Sequence, residues 1–448
     1  MMYYNIYPIH SGNGLQFTDW VTLLTLCFAP LVAHIVAGAP RPSYIYNKRP
    51  DWHERICHYN PTSIMWRYFS ILDRRLRTRT WSPLDLAATN ALFWTERGWD
   101  GSDQMITRSL PHCTYIPSHA RAEIFSDETF KSVVTALQGI QALYLFIAAF
   151  LPTHGSDFYS LGADQIFFPL SVLGLLRLLA APWLSRDYRY TSRVDVNATL
   201  ASKFNEPDEA DDNRLSLESL IQFPAAKAIT QDHYRQVSCW RSRLFRALYM
   251  TTLLGIWSMT LLWIFPIPLS DKEFEKEFTI TSFSAAIFYL ILLAVSVSVH
   301  AYYFITGQIT STIIPCASHL WYKIYTVILF VFMTVILIVS LSETTKTVCG
   351  KYTSLPVADA DLTCWTKDAG VATSDPESNV SNVFALALKY PYAVKGTVLE
   401  EGDFWVANFS GNCLGHLSSE LRVRARALDV VNFTGLIDWG NGTVTEDV

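Results

Sequence analysis

Six apolar stretches run along this chain of 448 residues, at 21–39, 132–152, 161–184, 246–268, 281–304 and 321–341. Each approaches or exceeds the roughly 20 residues that carry a helix across the hydrocarbon of a bilayer. No water is present there, so every backbone N–H and C=O must be paired within its own segment, and a helix does this. The expected fold is therefore an all-α polytopic membrane protein with about six transmembrane helices and a small, loop-rich C-terminal extramembrane domain. Composition agrees, since half of the residues are hydrophobic and only 17% are charged, against about 25% charged in soluble domains.

Basic residues set the orientation. Lys and Arg number none before the first stretch, thirteen in 40–131, none in 153–160, ten in 185–246 and two in 269–280. Positive charge stays on the cytosolic side. The rule makes the N-terminus 1–20 lumenal or extracellular, the segments 40–131 and 185–245 cytosolic, and the tail 342–448 lumenal after six crossings. The protein then belongs to the secretory pathway or the plasma membrane. Trp20, Trp183, Trp263, Trp321 and Tyr322 stand near stretch ends, where amphipathic rings rest at headgroup depth.

The tail supports that placement. Four of its six Asn residues, Asn379, Asn408, Asn432 and Asn441, stand in N-x-[ST] sequons, where chance would give about one in seven. They are the expected glycosylation sites. Cys349, Cys364 and Cys413 share the tail; an oxidising compartment would permit a disulfide, most simply between Cys349 and Cys364. Asn197 carries a further sequon but falls in a cytosolic segment. A cleaved signal peptide ending at Ala37-Gly38-Ala39 would invert this scheme, but the residues before it contain no Lys or Arg for an n-region.

Within 40–131, Asn60-Pro61 reads as an N-cap followed by proline at the first helical position. Ile64, Met65, Tyr68, Leu72 and Leu76 then recur at helical spacing, with Arg67, Arg74 and Arg75 off the stripe and Arg77 and Arg79 following. Two arrangements fit. The helix lies on the anionic cytosolic leaflet with these arginines as lipid contacts, or it docks on the protein's own core. Residues 153–160 are short enough to force the second and third spans into a hairpin. Gln138 and Gln141 offer interhelical hydrogen bonds in the second, and the acidic run 205–213 has almost nothing to bury. In the tail, 421–427 alternates apolar residues with Arg422, Arg424 and Arg426 and reads as helix or strand.

Ionisable residues inside spans are costly and mark function by default. His34, Arg177 and His300 fall at a comparable cytosolic depth and would line one polar cavity if their helices are neighbours; otherwise Arg177 snorkels and each His finds a carbonyl. His53, Cys57, His58, His112 and Cys113 do not have metal-ligand spacing. No phosphate loop, nucleophile elbow or kinase signature is present in the sequence, so no cofactor and no catalytic residue is assigned. The partner the chain requires is the lipid bilayer, with anionic lipids on its cytosolic face; nucleic acid is not expected. Solute or ion transport, or sensing, through the bundle fits best. A membrane-anchored scaffold is the second reading, and a lipid-modifying enzyme using His53, His58 or His112 is the third.

Overall fold

The computed structural model describes residues 3–11, 15–148, 161–191, 233–265, 275–346 and 352–356, and the strands Leu386–Lys389, Phe404–Ala407 and Cys413–Leu417. The described residues are mostly helical. After β1 (Tyr3–Ile6) comes α1 (Phe17–Leu31), which continues as a π-helical turn over Val32–Val36. The segment that follows holds β2 (Pro42–Tyr44), α2 (Trp52–Ile56), α3 (Pro61–Arg77), α4 (Pro83–Asn90), β3 (Leu92–Thr95), β4 (Gly98–Asp100), α5 (Met105–Arg108) and β5 (Cys113–Tyr115). Then come α6 (Asp127–Ala148), α7 (Phe168–Gly174), α8 (Leu176–Ala180) and β6 (Arg189–Tyr190). Three long helices, α9 (Trp240–Ile264), α10 (Ile280–Thr306) and α11 (Leu320–Glu343), are separated by β7 (Glu275–Phe278) and followed by β8 (Thr345–Lys346) and β9 (Tyr352–Thr353).

Four helical runs, Phe17–Val36, α9, α10 and α11, are long and apolar enough to cross a membrane. The second expected span is helical from Asp127, but its last four residues, 149–152, lie outside the described residues, as does the connection 153–160. The third departs from expectation. Its first residues, 161–167, form a buried turn, and the helical part spans only Phe168–Trp183. At 1.5 Å per residue, those 16 residues reach about 24 Å, short of a hydrocarbon core of about 30 Å. Pro169 opens this helix, and its regular bonding breaks around Leu175, between α7 and α8.

Helix ends sort into two groups. At one end β1 pairs in parallel with β7, Lys346 Nζ lies 2.6 Å from Asp19, and Leu161 bridges Thr353. There the fully buried Glu343 accepts hydrogen bonds from the backbone and hydroxyl of Thr281, at 3.0 and 2.7 Å, and so satisfies a free N–H in the first turn of α10. The other end is made by the segment between α1 and α6. There β2, β3 and β4 form a small sheet, β5 pairs with β6, and Ser82 and Asp85 close a capping box on α4.

The cap at Asn60 is as the sequence predicts, with its side chain accepting from the Thr62 N–H at 2.9 Å. The helix it starts, α3, does not lie free on a surface. Asp73 meets Ser242, Phe69 stacks on Phe245, and Tyr249 donates to the Met65 carbonyl, so α3 runs antiparallel beside the first part of α9. Its N-terminus reaches further in. Asn60 donates to Thr326 at 2.9 Å, the Thr62 hydroxyl lies 2.7 Å from that of Ser296, and Ser63 lies 2.7 Å from the Tyr322 hydroxyl. A wedge of this kind has polar contacts on three long helices where hydrocarbon would otherwise leave those groups unpaired.

Candidate functional site

Pro30 has no N–H to give and its ring crowds the preceding turn. The helix then widens, and the Ala37 N–H reaches the carbonyl of Val32, five residues back, at 2.9 Å. His34 sits in this π-turn. Gly38 follows, and a Cβ there would lie 2.4 Å from the His34 carbonyl and 2.8 Å from Ile64, so only glycine lets α1 end against α3.

Three guanidiniums meet the carbonyls left open at that end. Arg67 donates to Gly38 at 2.9 Å, Arg177 to Ala37 at 3.3 Å, and Arg186 to Ala37 at 3.1 Å and Ala39 at 3.4 Å. They complement the negative end of the helix dipole. Glu128, in the first turn of α6, lies 2.5 Å from Arg177, 2.6 Å from Arg186 and 3.0 Å from Lys131. Burial pushes its carboxyl up, but these cations prevail and hold it below the usual range. Burial lowers the pKa of Arg67, whose guanidinium donates to Gly38 and, at 3.3 Å, to the side-chain oxygen of Asn90.

Arg177 is held on every side. Its Nε donates to Ser132, one terminal nitrogen to Ala37 and the Tyr68 hydroxyl, and the other to the carbonyl and carboxylate of Glu128. That engages all five donors of a guanidinium. It does not snorkel to headgroups.

Beside it, Glu128, Ser132, Thr135, Gly139 and Ala142 recur at intervals of four and three along the buried face of α6. Small residues there bring α6 close: a Cβ on Gly139 would lie 2.5 Å from Leu175 and 2.7 Å from the Ser171 carbonyl. His34 enters the same seam. A Cβ on Gly174 would lie 1.8 Å from its Nδ1, so this glycine is the notch that admits the imidazole. The π-turn of α1 and the break between α7 and α8 thus face each other across His34. Gln138 stands next to the ring. Among the described residues, neither nitrogen of His34, nor Thr135 Oγ1, nor Gln138 Oε1 meets a hydrogen-bond partner in good geometry, although all are buried. Buried orphans of this kind call for a guest or water.

Of the three intramembrane residues expected to share a cavity, the structure joins two. His300 lies on the far side of α3. Its Nδ1 donates to the Ser296 carbonyl at 2.7 Å, and its ring packs 5.4 Å from Trp66 and 5.8 Å from Tyr249. Trp66 and the Tyr68 that meets Arg177 are two positions apart on α3 and so point to opposite faces.

The five arginines expected at lipid headgroups separate too. Arg67, Arg74 and Arg77 are buried, Arg75 is half-buried between Trp81 and Trp183, and Arg79 is exposed. Arg74 lies 2.9 Å from Asp103 and donates to the carbonyls of Gly101 and Thr310. Arg77 lies 2.9 Å from both Asp73 and Asp103. The docked arrangement of α3 is the one observed for these three. Nearby, His233 pairs with Asp85 at 2.7 Å. That hydrogen bond raises the pKa of His233; burial pushes Asp85 up, but its bonds to His233 and Ser82 prevail and lower it.

His58 is buried, its ring edge-on to Trp99, and burial lowers its pKa to about 3. His53 pairs with Asp51, and His112 meets the Thr191 carbonyl. Among the described residues no three His, Cys, Asp or Glu side chains gather as metal ligands. Asn379, Asn408, Asn432, Asn441, Cys349, Cys364, the acidic run 205–213 and the segment 421–427 lie outside the described residues, while Cys413 opens the strand Cys413–Leu417. Glu128, Arg186 and Gly174 were not singled out by the sequence; the four-three spacing of small residues on α6 was the available signal for the first. Set against known protein families, curated proteins and solved structures, the chain matches none.

Proposed function

We propose that the protein conducts or carries a small anion across the membrane, between α1, α6 and the α7–α8 pair. One observation carries this reading: two helix discontinuities meet at His34, where buried polar atoms of His34, Thr135 and Gln138 lack well-formed hydrogen bonds among the described residues. Non-helical backbone at membrane depth is tolerated where it is covered by protein or lines a polar cavity, and carriers use such breaks to bind solutes. The sign of the solute follows from Arg67, Arg177, Arg186 and Lys131 gathering around the single carboxylate of Glu128.

Flux into proteoliposomes tests it, read with an anion-sensitive dye and repeated with the cation exchanged. His34→Leu and Gln138→Leu are expected to lower anion flux at least tenfold while the melting temperature holds, and His300→Leu to leave it near wild type. Wild-type vesicles without anion flux, or His34→Leu vesicles with full flux, would end this reading.

The reading is completed by an orientation. Residues 40–131 and 185–245 face the cytosol, and the N-terminus and the tail 342–448 face the lumen or exterior, with Asn379, Asn408, Asn432 and Asn441 glycosylated and Cys349 bonded to Cys364. The charge alternation supports this, as does the sorting of helix ends into two groups, which fits six crossings with α6 and α7–α8 as a hairpin. Removing N-glycans should speed the protein's gel migration, and changing the four Asn residues to Gln should abolish that shift. A shift that persists would point to Asn197 and reverse the orientation.

A further inference from the structure

A cavity of about 210 Å³ opens between α7 and the α9–α10 pair, with Leu143 of α6 at its edge. Its walls are Pro169, Val172, Leu173, Ile256 and Leu293, together with two threonines and a tyrosine. Tyr289 and Leu293 lie nine and thirteen residues into α10, or roughly 14–20 Å along it at 1.5 Å per residue. In a core of about 30 Å, that is mid-bilayer.

The polar atoms on the wall are already engaged. Thr252 donates to the Leu248 carbonyl at 3.0 Å, Thr260 to Trp257 at 2.7 Å, and the Tyr289 hydroxyl to Ile166 at 2.8 Å. The three hydroxyl donors of the wall are thus spent within the protein, and a cavity lined mainly by apolar side chains favours apolar guests. At this depth the bilayer supplies hydrocarbon. Gly255 stands at the mouth, where an added Cβ would meet nothing within 4 Å.

We propose that this cavity holds one acyl chain of a bilayer lipid as a resident ligand. The chain packs against Val172 and Leu173 of α7, the helix whose Gly174 admits His34. The lipid is thus a structural partner of α7, and this holds whether or not the protein moves anions.

Native mass spectrometry of the full chain purified in mild detergent tests it. Wild type is expected to retain one phospholipid mass per chain, Gly255→Phe to lose it at least tenfold, and Ile328→Phe, on the exposed face of α11, to retain it. Wild type without lipid, equal retention in Gly255→Phe, or a second copy of the chain in place of lipid would overturn the proposal. Should Gly255→Phe fail to fold, wild type in vesicles containing a phospholipid with a mid-chain diazirine decides. Cross-links at 169–173 or 252–260, in excess of those on the lipid-facing side of α11, are expected, and their absence refutes it.

Discussion

Asp73→Ala destabilises the protein by roughly 3–5 kcal/mol, the usual cost of removing one partner from a buried ion pair. Asp73 is fully buried on α3 and accepts from Arg77 at 2.9 Å and from Ser242, with Arg246 3.8 Å away. Burial raises its pKa, opposed by Arg77 and Ser242. At Arg77 burial acts downward, and Asp103 and Asp73 outweigh it, so the guanidinium stays charged. Without Asp73, Arg77 keeps Asp103, but Arg246 is left in a half-buried position without its carboxylate. The seam between α3 and α9 then opens at the Asp73–Ser242 end. Thermal unfolding in detergent measures the loss, with Arg79→Ala, on an exposed side chain, as a comparison expected to change little. Equal melting temperatures for the two variants would mean that the cluster does not hold α3 in place.

Gly174→Ala is expected to act in two ways at once. Its methyl would lie 1.8 Å from Nδ1 and 2.0 Å from Cε1 of His34, so either the ring leaves the seam or α7 moves away from α1. Overpacking of this kind costs about 1–3 kcal/mol, and on the proposed function anion flux falls at least tenfold. Truncating the ring removes the clash. His34→Ala with Gly174→Ala should therefore be more stable than the sum of the single changes by about 0.5–3 kcal/mol, the coupling typical of residues in contact. Additive melting shifts across the four proteins would show that the notch does not seat His34.

Much of the helical framework was legible because its signals are local. The start of α3 follows from Asn60-Pro61, and the apolar runs at 281–304 and 321–341 fall within α10 and α11, whereas α9 begins at Trp240, six residues before its run and among arginines. Two features were not. The third apolar run reads as one span because hydropathy weighs Gly174 and Pro169 only as residues, not as the notch and helix start they provide. On α3, the stripe marks Leu72 and Leu76 for burial and the arginines for the surface, yet both leucines are half-buried while Arg74 and Arg77 are enclosed. Asp103, Gly101 and Thr310 make that possible, and they are far away in sequence. The site itself was half legible: His34 and Arg177 stand out as ionisable residues in apolar runs, but Glu128 and Arg186 sit outside them, and only folding shows that α3 comes between Arg177 and His300.

The wedge made by α3 also sets an order of events during synthesis. Asn60 bonds to Thr326, 266 residues later, and Thr62 and Ser63 bond to Ser296 and Tyr322, 234 and 259 residues later. A ribosome has therefore made most of the chain before the N-terminus of α3 can find its partners, and contacts of such long range form late. Until α11 is released, α3 can dock on α9 and α10, but Asn60 and Ser63 at its tip wait for Thr326 and Tyr322 beside an incomplete bundle. Nascent chains arrested before residue 320 should therefore be the form that quality control in the membrane recognises and removes.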